Sequence, residues 1–298
     1  MDAVYTAEEL IEITKGRLAA GLTPEEVGAI CSDTRFLLAG DWFIALAGKN
    51  YDGHDFIGDA FASGAIGCIV EERPSYAIAN PNFPLIAVDD TLFAYNKLAR
   101  NWRKRISPQV VLCAAEDESA PILLKELEKV LKRKGHEVVS LLTVGSNEAD
   151  VLNTVLSFSA ETEYFLCVLS PREFSAVSRL THTLEPNVLV VMKGALDNFR
   201  LTQSQSDIAK VKREMFDAMS RTKSTAIVAD LFPDALYATA QGNSKKIRVY
   251  PGEGKSRTLD ETDEESGEMD CAPEIVHLSP EARWCLEQVI SVLEPARG

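Results

Sequence analysis

The sequence predicts an α/β protein in which a small α/β domain precedes a mostly parallel α/β domain. Three observations lead there. From Pro108 to Pro251, apolar runs alternate with segments of helical period, the pattern of parallel strands joined by crossover helices on both faces of a sheet. The first 106 residues instead carry short strands separated by Gly, Pro and Asp signals. A length of 298 residues, 46% hydrophobic and 26% charged, fits one large or two medium domains with buried cores.

Taken in order, "AEELIEITKGRL" reads as a helix, and "AICSDTR", "DWFIAL", "AIGCIVEE" and "PLIAVDD" as strands, with "DFIGDAFASGA" a helix between two of them. "TLFAYNKLARNWRKRI" is amphipathic. Thr91 suits its N-cap, and Arg103, Lys104 and Arg105 suit the negative end of its dipole. The second domain, 107–251, reads as six strands ("QVVLCAA", "EVVSLLTV", "YFLCVL", "NVLVVMK", "TAIVAD", "KKIRVYP"). Its helices are "ILLKELEKVLKRKG", "EADVLNTVLSF", "PREFSAVSRLTHTL", "QSDIAKVKREMFDAM" and "FPDALYATAQG".

Residues 252–278 break the pattern. Gly252 to Glu274 hold nine acidic and two basic residues and almost nothing apolar, so they are expected to form a disordered linker or to dock a basic partner. A last helix is expected in 279–298, with Ser279 as N-cap and Pro280 at its first position. Its Trp284 and Leu286 need a surface to cover, on this chain or on a protein partner.

The formal net charge of −14 argues against nucleic acid as a partner, because phosphate binding needs clustered Lys and Arg. It is equally unhelpful at an anionic membrane surface. The first residues lack the basic start and apolar core of a signal peptide, and no apolar run reaches spanning length. A cytoplasmic location without membrane insertion is therefore expected. None of the six cysteines forms a C-x-x-C pair and the four histidines show no ligand spacing, so no metal site is expected. Cys68, Cys113 and Cys167 fall in apolar runs and read as buried thiols.

One junction raises a question. In "VVLCAAEDESAPILLKEL" a strand meets a helix, as in phosphate-binding loops, yet the loop holds Glu116, Asp117 and Glu118 with no glycine and no lysine. Three adjacent acids are usually just solvated, although Glu118 with Asp117 could in principle hold a metal.

The stretch "SDTRFLLAGDWFIALAGKNYDGHDFIGDAFASGAIGCIVEE" resembles the N-terminal domain of the Mur ligases, which join amino acids or D-Ala-D-Ala to UDP-N-acetylmuramic acid precursors of peptidoglycan. The family pattern is matched at Asp33, Thr34, Arg35, Gly40, Asp41, Phe43, Ala45, Leu46, Gly48, Asp52, Gly53, His54, Phe56 and Ile57, with Ala39 in place of the usual proline. "VDDT" and "LARNWR" look like the end of that domain in the D-alanyl-D-alanine-adding member. The resemblance implies a UDP-precursor site built from Ser32, Asp33, Thr34, Arg35, Gly48, Asn50, Asp52, Gly53 and His54. Arg35 and turn amides could hold a diphosphate, and Gly48 and Gly53 could let backbone approach a ligand. The bland alternatives are a local turn and ion pair for Asp33 and Arg35, and a structural role for His54.

The likeness continues more weakly to about residue 250, where it implies a mostly parallel, P-loop-NTPase-like α/β central domain, and the family's third domain is expected to be absent. In working members the strand at Val110–Cys113 feeds a G-x-x-G-K-[ST]-[ST] loop that cradles ATP phosphates and Mg²⁺. Laid on it, Ala114 takes the first Gly, Asp117 the second, Glu118 the Lys and Ser119 the hydroxyl position. A unit charge pair at roughly 4 Å is worth about 4 kcal/mol at an effective dielectric near 20, so Glu in place of Lys turns attraction into repulsion. The family's metal-binding Glu and His fall on Val168 and near Asn198, while its modified lysine persists as Lys212.

The expectation is a non-catalytic homologue, without ATP or Mg, that binds a UDP-muramoyl peptide or regulates or scaffolds cell-wall enzymes. Two alternatives remain. One is an active ATP- and Mg-dependent ligase of the D-alanyl-D-alanine-adding type with an unorthodox site. The other is a purely structural subunit acting through a protein partner at the acidic linker or the C-terminal helix.

Overall fold

A computed structural model describes residues 3–48, 51–72, 82–115, 117–170, 173–192, 195, 202–219, 224–229, 246–249 and 278–293. The chain divides into two units. One comprises Met1–Ser107 with Ala149–Glu161, the other Pro108–Glu148 with Thr162–Gly298. The expected helix "FPDALYATAQG" and residues 252–277 of the expected linker lie outside the described residues.

The first unit is built on a six-stranded sheet. Its strands are β1 (Val4–Tyr5), β2 (Arg17–Ala20), β3 (Gly28–Cys31), β4 (Trp42–Ile44), β5 (Gly67–Glu71) and β6 (Leu85–Val88), in the order β1-β3-β4-β5-β6-β2. The inner four run parallel, and β1 and β2 close the edges antiparallel. Helix α1 (Ala7–Thr14) starts in a capping box, Glu9 N donating to Thr6 Oγ1 at 3.2 Å and Thr6 N to Glu9 Oε2 at 3.0 Å.

The helix expected over "AEELIEITKGRL" stops earlier than its apolar period suggests. Lys15 turns left-handed at φ 63°, and a Cβ on Gly16 would sit 2.8 Å from Ala87 O. That close approach lets "RLAA" pair with β6 as a strand. Helices α2 (Ile57–Ala62) and α3 (Thr91–Ile106) complete the segment up to Ser107. The α3 N-cap is Asp90 rather than Thr91, its carboxylate accepting Phe93 N at 2.7 Å.

Helix α4 (Ser119–Arg133) belongs to the second unit, but α5 (Glu148–Leu156) departs from the sequence reading. Residues 149–161 join the first unit. Val151, Leu152, Val155, Leu156 and Phe158 are buried. Ala3 N donates to Leu156 O at 3.2 Å, and Trp102 Nε1 to Phe158 O at 3.0 Å.

The second unit carries β7 (Gln109–Ala114), β8 (Val138–Leu141), β9 (Tyr164–Leu169), β10 (Val188–Val191), β11 (Thr225–Val228) and β12 (Lys246–Val249). Its order is β12-β11-β10-β7-β9-β8 and every pairing is parallel. Its remaining helices are α6 (Phe174–Leu184), α7 (Gln205–Asp217) and α8 (Pro280–Leu293). Alternate residues Val111 and Cys113, Leu166 and Val168, Val188 and Val190 face one core cluster with α4 and α8. Their neighbours Val110, Leu112, Phe165 and Leu189 are equally buried, as a sheet covered on both faces requires.

Helix α8 answers the question its apolar face raised. Ala282, Cys285, Leu286, Val289 and Ile290 sit in the same core as Leu123, Leu124 and Leu127 of α4. Ser279 caps it, accepting Ala282 N at 3.1 Å. On the edge strand, Arg248 Nη1 donates to Gln288 Oε1 at 2.6 Å and to Ser291 Oγ at 2.5 Å. Of the two surfaces left open for this face, on this chain or on a partner, the chain itself supplies one.

The five described cysteines are free and buried. Burial pushes the Cys167 and Cys285 thiols up to about 12, which leaves them without thiolate character at neutral pH. Among the described residues no helix is long and apolar enough to cross a membrane.

Candidate functional site

Because β3, β4, β5 and β6 are parallel, the loops that follow them leave one edge of the first sheet, the carboxyl edge where open α/β sheets bind ligands. Ser32–Arg35 follow β3, and residues 45–53 follow β4.

Asp33 organises the first loop. Its Oδ1 accepts Arg35 N at 3.0 Å and Arg35 Nε at 2.9 Å, while Oδ2 accepts Nη2 at 2.6 Å. This forked pair holds the Asp33 carboxyl below its usual range, chiefly through hydrogen bonding by the guanidinium. Arg35 remains 80% exposed along its side chain, so its outer N–H groups face solvent. Its guanidinium carbon lies 5.7 Å from the Phe36 ring centroid. Phe36 N donates to Asp33 O at 3.0 Å, closing a turn through half-buried Thr34.

The second loop is tied mainly to its own chain. Gly48 N donates to Tyr51 O at 2.9 Å, and Ala47 bridges to Asp52. Asn50 lies outside the described residues. A Cβ on Gly53 would come within 2.7 Å of Leu46 N, so the close approach that requires glycine here is to the Ala45–Leu46 backbone just after β4. His54 is buried. Its Nε2 accepts Glu71 N at 3.0 Å, so the ring proton sits on Nδ1, which donates to Asp52 Oδ1 at 2.5 Å. Nε2 therefore ties this loop to β5 and Nδ1 ties the ring to Asp52 within the loop, contacts that give His54 a structural part in this unit.

Two residues unforeseen in the sequence complete the first loop. Asn153 Oδ1 accepts Ser32 Oγ at 3.3 Å and also the hydroxyl of fully buried Tyr95. An asparagine beside the buried Val151, Leu152 and Val155 was the available signal, and sequence alone could not say what it meets.

In the second sheet β7 lies between β9 and β10, so its loop leaves the middle of the carboxyl edge. Ala114 ends the strand, its carbonyl accepting Met192 N at 2.9 Å. Glu116 lies outside the described residues. Asp117 and Glu118 are exposed. Asp117 Oδ1 accepts Ser119 N at 3.0 Å and also takes the Ser119 hydroxyl. Glu118 holds the N-cap position of α4 without a side-chain cap bond. Val168 is buried on β9, Lys212 is half-buried on α7, and Asn198 lies outside the described residues. Among the described residues no three His, Cys, Asp or Glu side chains are grouped to hold a metal.

Comparison with known proteins places this arrangement. Residues 26–103 match the Mur ligase family, catalytic domain, a stretch that lies in the first unit. The chain is 29% identical over 202 residues to UDP-N-acetylmuramoyl-tripeptide–D-alanyl-D-alanine ligase of Synechocystis sp., covering 68% of this chain and 43% of that protein. It is 28% identical over 255 residues to the Escherichia coli ligase of the same name, covering 84% and 54%. The fold superposes on MurF from Acinetobacter baumannii with a TM-score of 0.69 at 21% identity, covering 83% of this chain and 52% of that one. Against MurF ligase from Thermotoga maritima in complex with ADP the TM-score is 0.58 at 19% identity, covering 74% and 49%. The chain spans about half the length of the relatives it matches. The resemblance to the Mur ligase family, and within it to the D-alanyl-D-alanine-adding member, is borne out.

Proposed function

We propose that the first unit binds a UDP-muramoyl peptide and that the second unit does not turn over ATP. The observation that carries this reading is the loop after β7. There the Ser119 amide, at the helix end where an incoming phosphate would look for donors, is occupied by the Asp117 carboxylate at 3.0 Å. Glu118 stands where the family lysine would neutralise a transferred phosphate, so the residues present do not fit a nucleoside triphosphate with its Mg²⁺. The loop after β3 is different in kind, because Arg35 presents exposed donors beside a turn, which suits an anionic diphosphate.

A second reading is an active ligase of the D-alanyl-D-alanine-adding type. Its support is the activity for which the relatives are named, one of which aligns over 84% of this chain.

Calorimetric titration with UDP-N-acetylmuramoyl peptide, and separately with Mg-ATP, decides between them. The proposal expects precursor binding and no ATP binding. ATP binding at micromolar affinity, or ADP release dependent on precursor and D-Ala-D-Ala, would overturn it in favour of the ligase. Binding of neither ligand would overturn both.

A further inference from the structure

We propose that Asn153 is a positioning residue for the Ser32–Arg35 loop, which makes the crossover 149–161 a working part of the precursor-binding unit. The role assigned to the loop rests on the precursor reading above; the positioning stands on geometry.

Besides a side-chain hydrogen bond between Ser32 and Tyr95, the loop is held by short-range ties. Cys31 Sγ reaches Asp33 O at 3.1 Å, Phe36 N reaches Asp33 O, and Arg35 forks onto Asp33. Such bonds set the shape of the turn but move with it. The bond from Ser32 Oγ to Asn153 Oδ1 spans 121 positions of sequence and fixes the turn to a rigid support. That support is well seated. Val151, Leu152, Val155 and Leu156 are each at most 2% exposed, and the Leu156 and Phe158 carbonyls accept from Ala3 N and from the Trp102 indole. The Tyr95 hydroxyl pins the same Asn153 oxygen from α3.

The arrangement also sets the polarity of Ser32. A hydroxyl has one hydrogen, and that of Ser32 goes to Asn153. Its oxygen then offers lone pairs, so it accepts from a ligand hydroxyl or N–H and does not donate to a phosphate. Arg35 is left as the anion-binding group. Ser32 would read the nucleoside or sugar part of the ligand while Arg35 reads its charge.

The test uses the full chain with Asn153→Ala, Asn153→Asp and Tyr95→Phe. Hydrogen–deuterium exchange of residues 32–36 and calorimetric titration with UDP are the two readouts. Asn153→Ala is expected to speed exchange there about tenfold, the scale of one lost hydrogen bond, and to weaken UDP by a similar factor. Asn153→Asp retains an acceptor and should restore both, while Tyr95→Phe, which removes only the second tie on Asn153 and Ser32, should speed loop exchange by less than Asn153→Ala. Should Asn153→Ala fail to fold, Ser32→Ala removes the same bond from its other end and carries the exchange arm. Unchanged exchange on loss of the bond overturns the proposal. Faster exchange in a chain whose wild type binds neither UDP nor UDP-N-acetylmuramoyl peptide leaves the positioning intact and sinks the precursor reading.

Discussion

The loop after β3 and the loop after β7 use one backbone device for opposite ends. Each follows an inner parallel strand, and in each an aspartate accepts the amide two residues on, at 3.0 Å in both (Arg35 to Asp33, Ser119 to Asp117). They differ in what the second residue brings. Arg35 adds a guanidinium that neutralises its aspartate and keeps donors in solvent. Ser119 adds a hydroxyl, and exposed Glu118 lies beside it. The turn alone does not make an anion site; the charge carried by one or two side chains decides what it can attract.

The contrast requires that the second sheet keep its frame with no nucleotide to hold it, and here the largest effect is expected. Leu286 of α8 is fully buried in the core shared with α4. Leu286→Ala should destabilise the second unit by about 2–5 kcal/mol, read as an early transition in denaturant unfolding. A change near zero would mean that α8 is not a part of that core.

Arg35→Ala tests the other side. It should weaken UDP-precursor binding by about 10- to 100-fold, the scale of hydrogen bonds to a charged group, with the melting temperature little changed. Unaltered calorimetric affinity would remove the guanidinium from the site and erase the contrast.

A smaller effect should follow from converting one loop toward the other. Asp117→Gly with Glu118→Lys frees the Ser119 amide and restores a cation. Weak pyrophosphate binding, absent from the wild type, is expected by calorimetry. Its failure to appear would show that backbone conformation, beyond charge, closes the loop.

The smallest effect is on pH. Arg35 holds the folded Asp33 carboxyl below its unfolded value. The pair therefore supports its loop at neutral pH, above the unfolded value of about 4, and that support is lost as pH falls through the lowered folded value. Amide NMR shifts of residues 33–36 should titrate in that acid window and not near neutrality.

Much of this was legible in the sequence because it is local. Caps such as Ser279, the period of α4 and α8, and the apolar runs of β7, β9 and β10 follow from side-chain chemistry and repeat. So does the acidic character of the loop after β7, which needs only the identities of Asp117 and Glu118. The family resemblance rested on the same kind of information, a dense run of identities from Ser32 to Glu72.

What the sequence could not reach depends on partners far along the chain. A helical period over "AEELIEITKGRL" does not reveal that Gly16 must pass 2.8 Å from Ala87 O, so that the helix yields to β2. Helix α5 reads as an ordinary crossover, and only tertiary packing assigns it to the first unit, with Asn153 against Ser32. The close contacts of Gly53 with Leu46 and of His54 with Glu71 N emerge in the same way, from partners that sequence spacing does not name. Composition, caps and periodicity are properties of neighbours in sequence, and these elements carried them from the start. A buried polar group takes its meaning from whichever distant atom satisfies it, and that atom is supplied only when the chain folds.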